Sequence, residues 1–153
     1  MKTGKPPALR KTLLIVEDDT LTAMTLADAL EEAGYEVMDL TGRHEDAIVA
    51  AKQGKPHLAL VNIELQGRDD GIALARDLSA MGIPVLFISG QSSRASSAQT
   101  AAVGSLPKPY TPTEIVEAVH YLLNHLQGDD TQTRPARLEV FDSQPGGVAP
   151  KAA

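Results

Sequence analysis

Glu17-Asp18-Asp19, Asn62, Ser89-Gly90 and Lys108 all sit at or just past the end of a short apolar run. A cluster of acids suits a hard divalent cation, with Mg²⁺ the usual occupant when one or two carboxylates and several waters are on offer. The Ser89 hydroxyl can donate to a phosphoryl oxygen, and the Lys108 ammonium can pair with a phosphate or a carboxylate. Each residue also has a plain structural use. Asp18 or Asp19 can cap a helix and complement its dipole, Ser89 can satisfy a loop backbone, and Lys108 can be an exposed side chain between two prolines. Asn62, closing the run Pro56-His57-Leu58-Ala59-Leu60-Val61, is the polar residue that most needs an explanation.

The elements that must position these residues are legible from periodicity. Thr12–Val16, Tyr35–Leu40, His57–Val61, Val85–Ile88 and the short Gly104–Leu106 read as strands, the apolar runs of strand length suiting burial on both faces of a sheet. Between them, Ala23, Leu26, Ala27, Leu30 and Ala33 mark one helix and Ala47, Ile48 and Ala51 a second. Ile72, Leu74, Ala75 and Leu78 mark a third, and Gly34, Gly54 and Gly82 are the expected stops. Gln91 to Val103 has little large apolar periodicity, so the fourth helix should be weak or irregular. Thr111-Pro112-Thr113-Glu114 reads as a capping box with Pro at the first helical position, opening a fifth helix striped by Ile115, Val116, Val119, Leu122, Leu123 and Leu126. Five strand-then-helix units predict an α/β fold, a doubly wound parallel five-stranded sheet with right-handed crossovers. The carboxyl ends of the strands then share one rim, where Asp18, Asn62, Ser89 and Lys108 should converge.

Length and composition bound the rest. The 153 residues fit one domain: a flexible basic arm over 1–11, the folded part over 12–127, and a polar tail over 128–153. The tail is expected to be disordered, its apolar island Leu138-Glu139-Val140-Phe141 being the only candidate for an edge strand. A net charge of −6 and 3% aromatics argue against nucleic acid or an anionic membrane as partner. There is no cysteine and no apolar run of membrane-spanning length, so a cytoplasmic protein is expected. An EF-hand is excluded because the twelfth position of the loop beginning at Asn62 is Ala73, not Glu.

With Leu14-Ile15-Val16-Glu17-Asp18-Asp19, Pro56 to Leu65, Phe87-Ile88-Ser89-Gly90 and Leu106-Pro107-Lys108-Pro109-Tyr110 in view, the chain resembles the receiver domains of two-component response regulators over about residues 12–127. The resemblance implies a flavodoxin-like, CheY-like sandwich of strand order 2-1-3-4-5, a signalling module rather than an enzyme. It implies that an Asp at the end of strand three takes a phosphoryl group from a histidine kinase or phosphotransfer protein. Glu17 and Asp18 match the acidic pair that holds Mg²⁺, and Glu64 would lend the metal its backbone carbonyl. Ser89 matches the hydroxyl residue that follows the phosphoryl group, Lys108 the lysine that pairs with it, and Lys108–Pro109 a peptide that is usually cis.

The acceptor position itself is Asn62. A neutral carboxamide is a far poorer nucleophile than a carboxylate, so aspartyl phosphorylation is not expected of this chain as written. The Asn62 side-chain oxygen can still coordinate Mg²⁺, but the loss of one charge at roughly 4 Å, on the order of 4 kcal/mol at an effective dielectric of about 20, should weaken the site. Ser105 stands where many receivers carry an aromatic switch residue.

The expected function is therefore that of a single-domain response regulator in a phosphorelay, its acceptor replaced by Asn62 through nature or engineering, acting on a downstream protein target. The alternative is a natural pseudo-receiver, a binding module independent of phosphorylation. A flavodoxin-like small-ligand protein is a third reading, unsupported by any Gly-rich phosphate motif. A homodimer through the fifth helix or Leu138–Phe141 is a further expectation.

Overall fold

A computed structural model of the protein describes residues 10–65, 70–89 and 101–141. The elements run β1 (Thr12–Val16), α1 (Thr20–Glu32), β2 (Glu36–Thr41), α2 (His44–Gly54), β3 (Leu58–Asn62), α3 (Gly71–Ala80), β4 (Val85–Ser89), β5 (Gly104–Pro107), α4 (Pro112–Leu126) and β6 (Glu139–Val140). The expected fold is observed, with the strand order β2-β1-β3-β4-β5 and parallel pairing throughout that set.

Alternation along the strands divides the core in two. Leu13, Ile15, Leu58, Leu60, Leu86, Ile88 and Leu106 pack against Leu26 and Leu30 of α1 and Ile115, Val119 and Leu122 of α4. Leu14, Val16, Ala59, Val61, Val85 and Phe87 face Ala47 and Ala51 of α2 and Leu74 and Leu78 of α3. All five residues of β3 are buried, as a central strand covered on both faces requires. Burial of each such Leu or Ile contributes about 1.5–3 kcal/mol, so the rim residues hang from a stiff scaffold.

Caps fall where the side chains direct them. The Asp19 carboxylate accepts from the Thr22 N–H and hydroxyl, and Asp70 accepts from Ile72 N–H at 2.9 Å. Thr111 and Glu114 form the reciprocal capping box, with bonds of 3.1 and 2.9 Å. Gly34 and Gly82 adopt positive φ as the expected stops. Gly54 does not: it closes α2, where the tip of Met38 lies in the place of a side chain, and the left-handed turn falls on Lys55 at φ 48°.

Two expectations are corrected. The sheet has six strands, not five, and residues 128–141 are not a structureless tail. β6 pairs antiparallel with β5, Gly104 opposite Val140 and Ser105 opposite Glu139, and both Leu138 and Phe141 are 4% exposed. The physical reason is non-local: a four-residue apolar island gains enough burial only because the β5 edge is there to receive it. The Leu138–Phe141 segment thus pairs within its own chain, where a role in a homodimer was also expected. The irregular fourth helix expected over Gln91–Val103 lies outside the described residues up to 100, and the buried Ala101, Ala102 and Val103 lead into β5.

Gly104 makes the sixth strand possible, because a Cβ there would lie 2.8 Å from the Glu139 carbonyl oxygen. Gly104→Ala is expected to detach β6 while leaving the five-stranded core folded. Limited proteolysis should then cut between Gly128 and Phe141 faster than in the parent, and equal cutting rates would contradict the account.

Candidate phosphoryl-acceptor site

β1 to β5 end together, and the backbone ties neighbouring ends. Glu17 N–H donates to Thr41 O at 2.8 Å, Ile63 N–H to Ile88 O at 3.1 Å, and Lys108 N–H to Ser89 O at 2.8 Å. In this frame Glu17, Asn62 and Ser89 are buried, at 7%, 4% and 1% exposure, although all three are polar. Buried polar groups at strand ends need partners, and those partners define the site.

The Asn62 carboxamide nitrogen donates to Glu17 Oε2 at 3.3 Å and to the Glu64 backbone carbonyl at 3.0 Å. Rotating the amide would set its oxygen against two acceptors, so the orientation is fixed by chemistry. Glu17 Oε2 also accepts from Asp19 N–H at 3.1 Å, and Lys108 Nζ stands 3.7 Å from Glu17 Oε1. Burial pushes the Glu17 carboxyl above its usual range against the pull of the Asp19 amide and the Lys108 ammonium. The neighbouring Asp18 adds to the rise through its hydrogen bond and its charge. Asp18 is half-buried on the same loop. The Lys108–Pro109 peptide is cis.

The expected site residues are therefore brought to one rim: Glu17, Asn62, the Glu64 carbonyl and Lys108 by direct contact, and Asp18 and Ser89 by their places at the ends of the same strands. The donor set does not fit a hard cation as it stands. The Glu64 carbonyl, which would face Mg²⁺, takes an N–H from Asn62 instead. Among the described residues no three His, Cys, Asp or Glu side chains converge as a metal-binding group. Among the described residues, Asn62 Oδ1 is left buried with no hydrogen-bond partner.

Two contributors were missed from the sequence. Gly71 opens α3 directly over the end of β3, where a Cβ would lie 2.2 Å from the Asn62 carbonyl oxygen. Its only sequence signal is a Gly following the acidic pair Asp69-Asp70, which reads as an ordinary loop. Tyr110 joins Leu21, Thr25, Ala29, Pro112 and Ile115 in lining a groove of about 440 Å³ beside Lys108. Burial and then the Glu17 charge hold the Tyr110 hydroxyl above its usual pKa.

The sequence model of the response regulator receiver domain matches residues 13–120. The transcriptional regulatory protein PdtaR of Mycobacterium tuberculosis is 27% identical over 129 residues, covering 82% of this chain and 62% of that protein. The phosphate regulon transcriptional regulatory protein PhoB of Pseudomonas aeruginosa is 31% identical over 137 residues, covering 85% of this chain and 58% of that protein. The chain thus spans about three fifths of the length of these curated relatives. Among solved structures, the signal receiver domain of a modulated diguanylate cyclase from Desulfovibrio desulfuricans G20 superposes with a TM-score of 0.70 at 30% identity. That match covers 77% of this chain and 97% of the other. No helix among the described residues is long and apolar enough to cross a membrane.

Proposed function

Because the chain belongs to the response regulator receiver domains of two-component signalling, we propose that it is a receiver whose phosphoryl-acceptor position is filled by Asn62, so that it takes no phosphoryl group as it stands. One observation carries this reading. At the end of the central strand, where an attacking carboxylate would be needed, a buried carboxamide donates its N–H groups to Glu17 and to the Glu64 carbonyl. A carboxamide carries no negative charge, and its nitrogen lone pair is delocalised into the carbonyl, so it is a far poorer nucleophile toward phosphorus than a carboxylate.

The surrounding residues keep the roles that the family implies. Ser89 is the hydroxyl that would follow a phosphoryl oxygen, Lys108 the cation that would pair with it, and Glu17 and Asp18 the acids of a metal site. Mg²⁺ would neutralise charge on a transferring phosphoryl group, and the loss of the carboxylate at position 62 weakens its site in this chain.

A histidine kinase or phosphotransfer protein is the proposed partner on the input side, and a protein target on the output side. The groove beside Lys108 supports the first of these. Leu21 on α1, which lines the groove, is 73% exposed, and a large apolar side chain left in solvent beside a polar site suits a helix laid across it.

A second reading is a pseudo-receiver that binds partners without phosphorylation. It is favoured by the direct contacts that the Asn62 amide and the Lys108 ammonium make with Glu17. The two are separated by restoring the carboxylate. Acetyl phosphate with Mg²⁺ is expected to label Asn62→Asp protein and leave the parent unlabelled, whereas a folded Asn62→Asp protein that resists labelling would favour the second reading.

A further inference from the structure

We propose that Arg137, carried by the C-terminal segment that ends in β6, is a positioning residue for Lys108, so that docking of this segment on the sheet edge sets the cation of the rim. The proposal rests on the reading of that rim as a phosphoryl site.

Arg137 Nη1 donates to the Pro109 carbonyl at 2.6 Å, and Nη2 to the Pro107 carbonyl at 3.4 Å. These carbonyls flank Lys108 on either side. Nη1 also lies 3.2 and 3.3 Å from the two carboxylate oxygens of Glu114, the residue that completes the capping box of α4. One guanidinium thus ties together the loop carrying Lys108 and the first turn of the helix after it. On its inner side the Lys108 amide is bonded to Ser89 O at 2.8 Å. With its amide held by β4 and both neighbouring carbonyls held by Arg137, the Lys108 backbone has little room to move. Its ammonium stays near Glu17, 3.7 Å away.

The residue type matters. Three acceptors spread around one point need a planar fork of donors, which a guanidinium supplies and an ammonium does not.

The segment is anchored independently of Arg137. Leu138 and Phe141 are buried, Leu138 N–H bonds Pro135 O at 3.2 Å, and Phe141 N–H bonds Val103 O at 2.9 Å. Phe141 packs in the cluster that holds Phe87, Ala101 and Ala102, far along the sheet edge from the loop. A partner that peels β6 away would therefore release Lys108 without touching it.

The test starts on the parent chain, with Asn62 in place. Arg137→Ala is expected to speed hydrogen exchange of the Lys108 amide about tenfold, the scale set by losing charge-assisted hydrogen bonds, while Leu60 and Leu26 keep parent rates. The ¹⁵N signal of the Lys108 ammonium should move toward that of a solvated lysine, and Arg137→Lys, able to reach one carbonyl, should fall between. Phe141→Ala, which loosens the other anchor, should also speed Lys108. In an Asn62→Asp background, adding Arg137→Ala should lower the maximal rate of labelling by acetyl phosphate about fivefold or more, since a misplaced cation costs transition-state stabilisation.

Unchanged exchange and an unchanged ammonium signal in Arg137→Ala would overturn the proposal. So would a rise shared equally by Gly104, Ser105 and Leu106, which would mean a loosened edge strand and nothing more. Should Asn62→Asp alone resist labelling, the acceptor reading falls, while exchange and the ammonium signal on the parent chain still decide the role of Arg137.

Discussion

Asn62→Asp is expected to destabilise the protein in metal-free buffer by about 2–4 kcal/mol, and to regain that stability when Mg²⁺ is added. The substitution removes the two N–H donors that now serve Glu17 Oε2 and the Glu64 carbonyl, and sets a carboxylate oxygen against both. Two unit charges about 4 Å apart repel by on the order of 4 kcal/mol at an effective dielectric of about 20, and the lost bonds add to this. Protonation of one of the two acids limits the penalty, the more readily because Glu17 already holds its proton above the usual carboxylate range. For a chain of this size the loss corresponds to a fall in Tm of roughly 5–15 °C.

The same two carboxylates and the freed Glu64 carbonyl then make a hard oxygen site. A cation at about one hundred times its Kd returns about 2.7 kcal/mol. The parent should melt at the same temperature with chelator or with Mg²⁺, because its amide already occupies the carbonyl. Melting curves of both proteins under both conditions make the check. Equal stability of parent and variant in chelator, or an equal gain in Mg²⁺, would contradict this picture of the site.

Gly71→Ala is the second large effect. The added Cβ would stand 2.2 Å from the Asn62 carbonyl oxygen, 2.7 Å from Ile63 Cα and 2.9 Å from the Ile63 carbonyl oxygen. All three are backbone atoms at the end of the central strand, so no side chain can swing aside. Gly71 N–H also donates to Ile63 O at 3.0 Å, and that bond is lost if the helix start is pushed away. Alanine favours a helix by about 1 kcal/mol over glycine, but the clash costs about 3 kcal/mol or more. Urea unfolding should show a net loss of stability, and altered amide shifts at Asn62, Ile63 and Glu64. A variant as stable as the parent would show that α3 does not rest on β3 as described.

Much of this was readable from residue types. The alternation of apolar runs with helical stripes carries the order of elements, and Asp18, Asn62, Ser89 and Lys108 stand out because each closes or follows a strand. Thr111, Pro112 and Glu114 opened their helix as their chemistry requires. What escaped depends on contacts between distant segments. Leu138 to Phe141 lacks the length to announce a strand, and its burial is conferred by Gly104 and the β5 edge. Arg137 stands in a polar stretch like any solvated arginine until the turn after Pro135 brings it over the proline loop. The direction of the Asn62 amide followed from its two acceptors, and only one of these, the Glu64 carbonyl, is near it in sequence.

The central claim is that Asn62 fills the acceptor position of a receiver. The most direct measurement is an intact-mass time course of the parent and Asn62→Asp proteins incubated side by side with acetyl phosphate and Mg²⁺. Asn62→Asp is expected to gain the mass of one phosphoryl group, lost again on mild alkaline hydrolysis as an acyl phosphate is, while the parent gains nothing. A folded Asn62→Asp protein that stays unlabelled, or a parent chain labelled to the same extent, would contradict it.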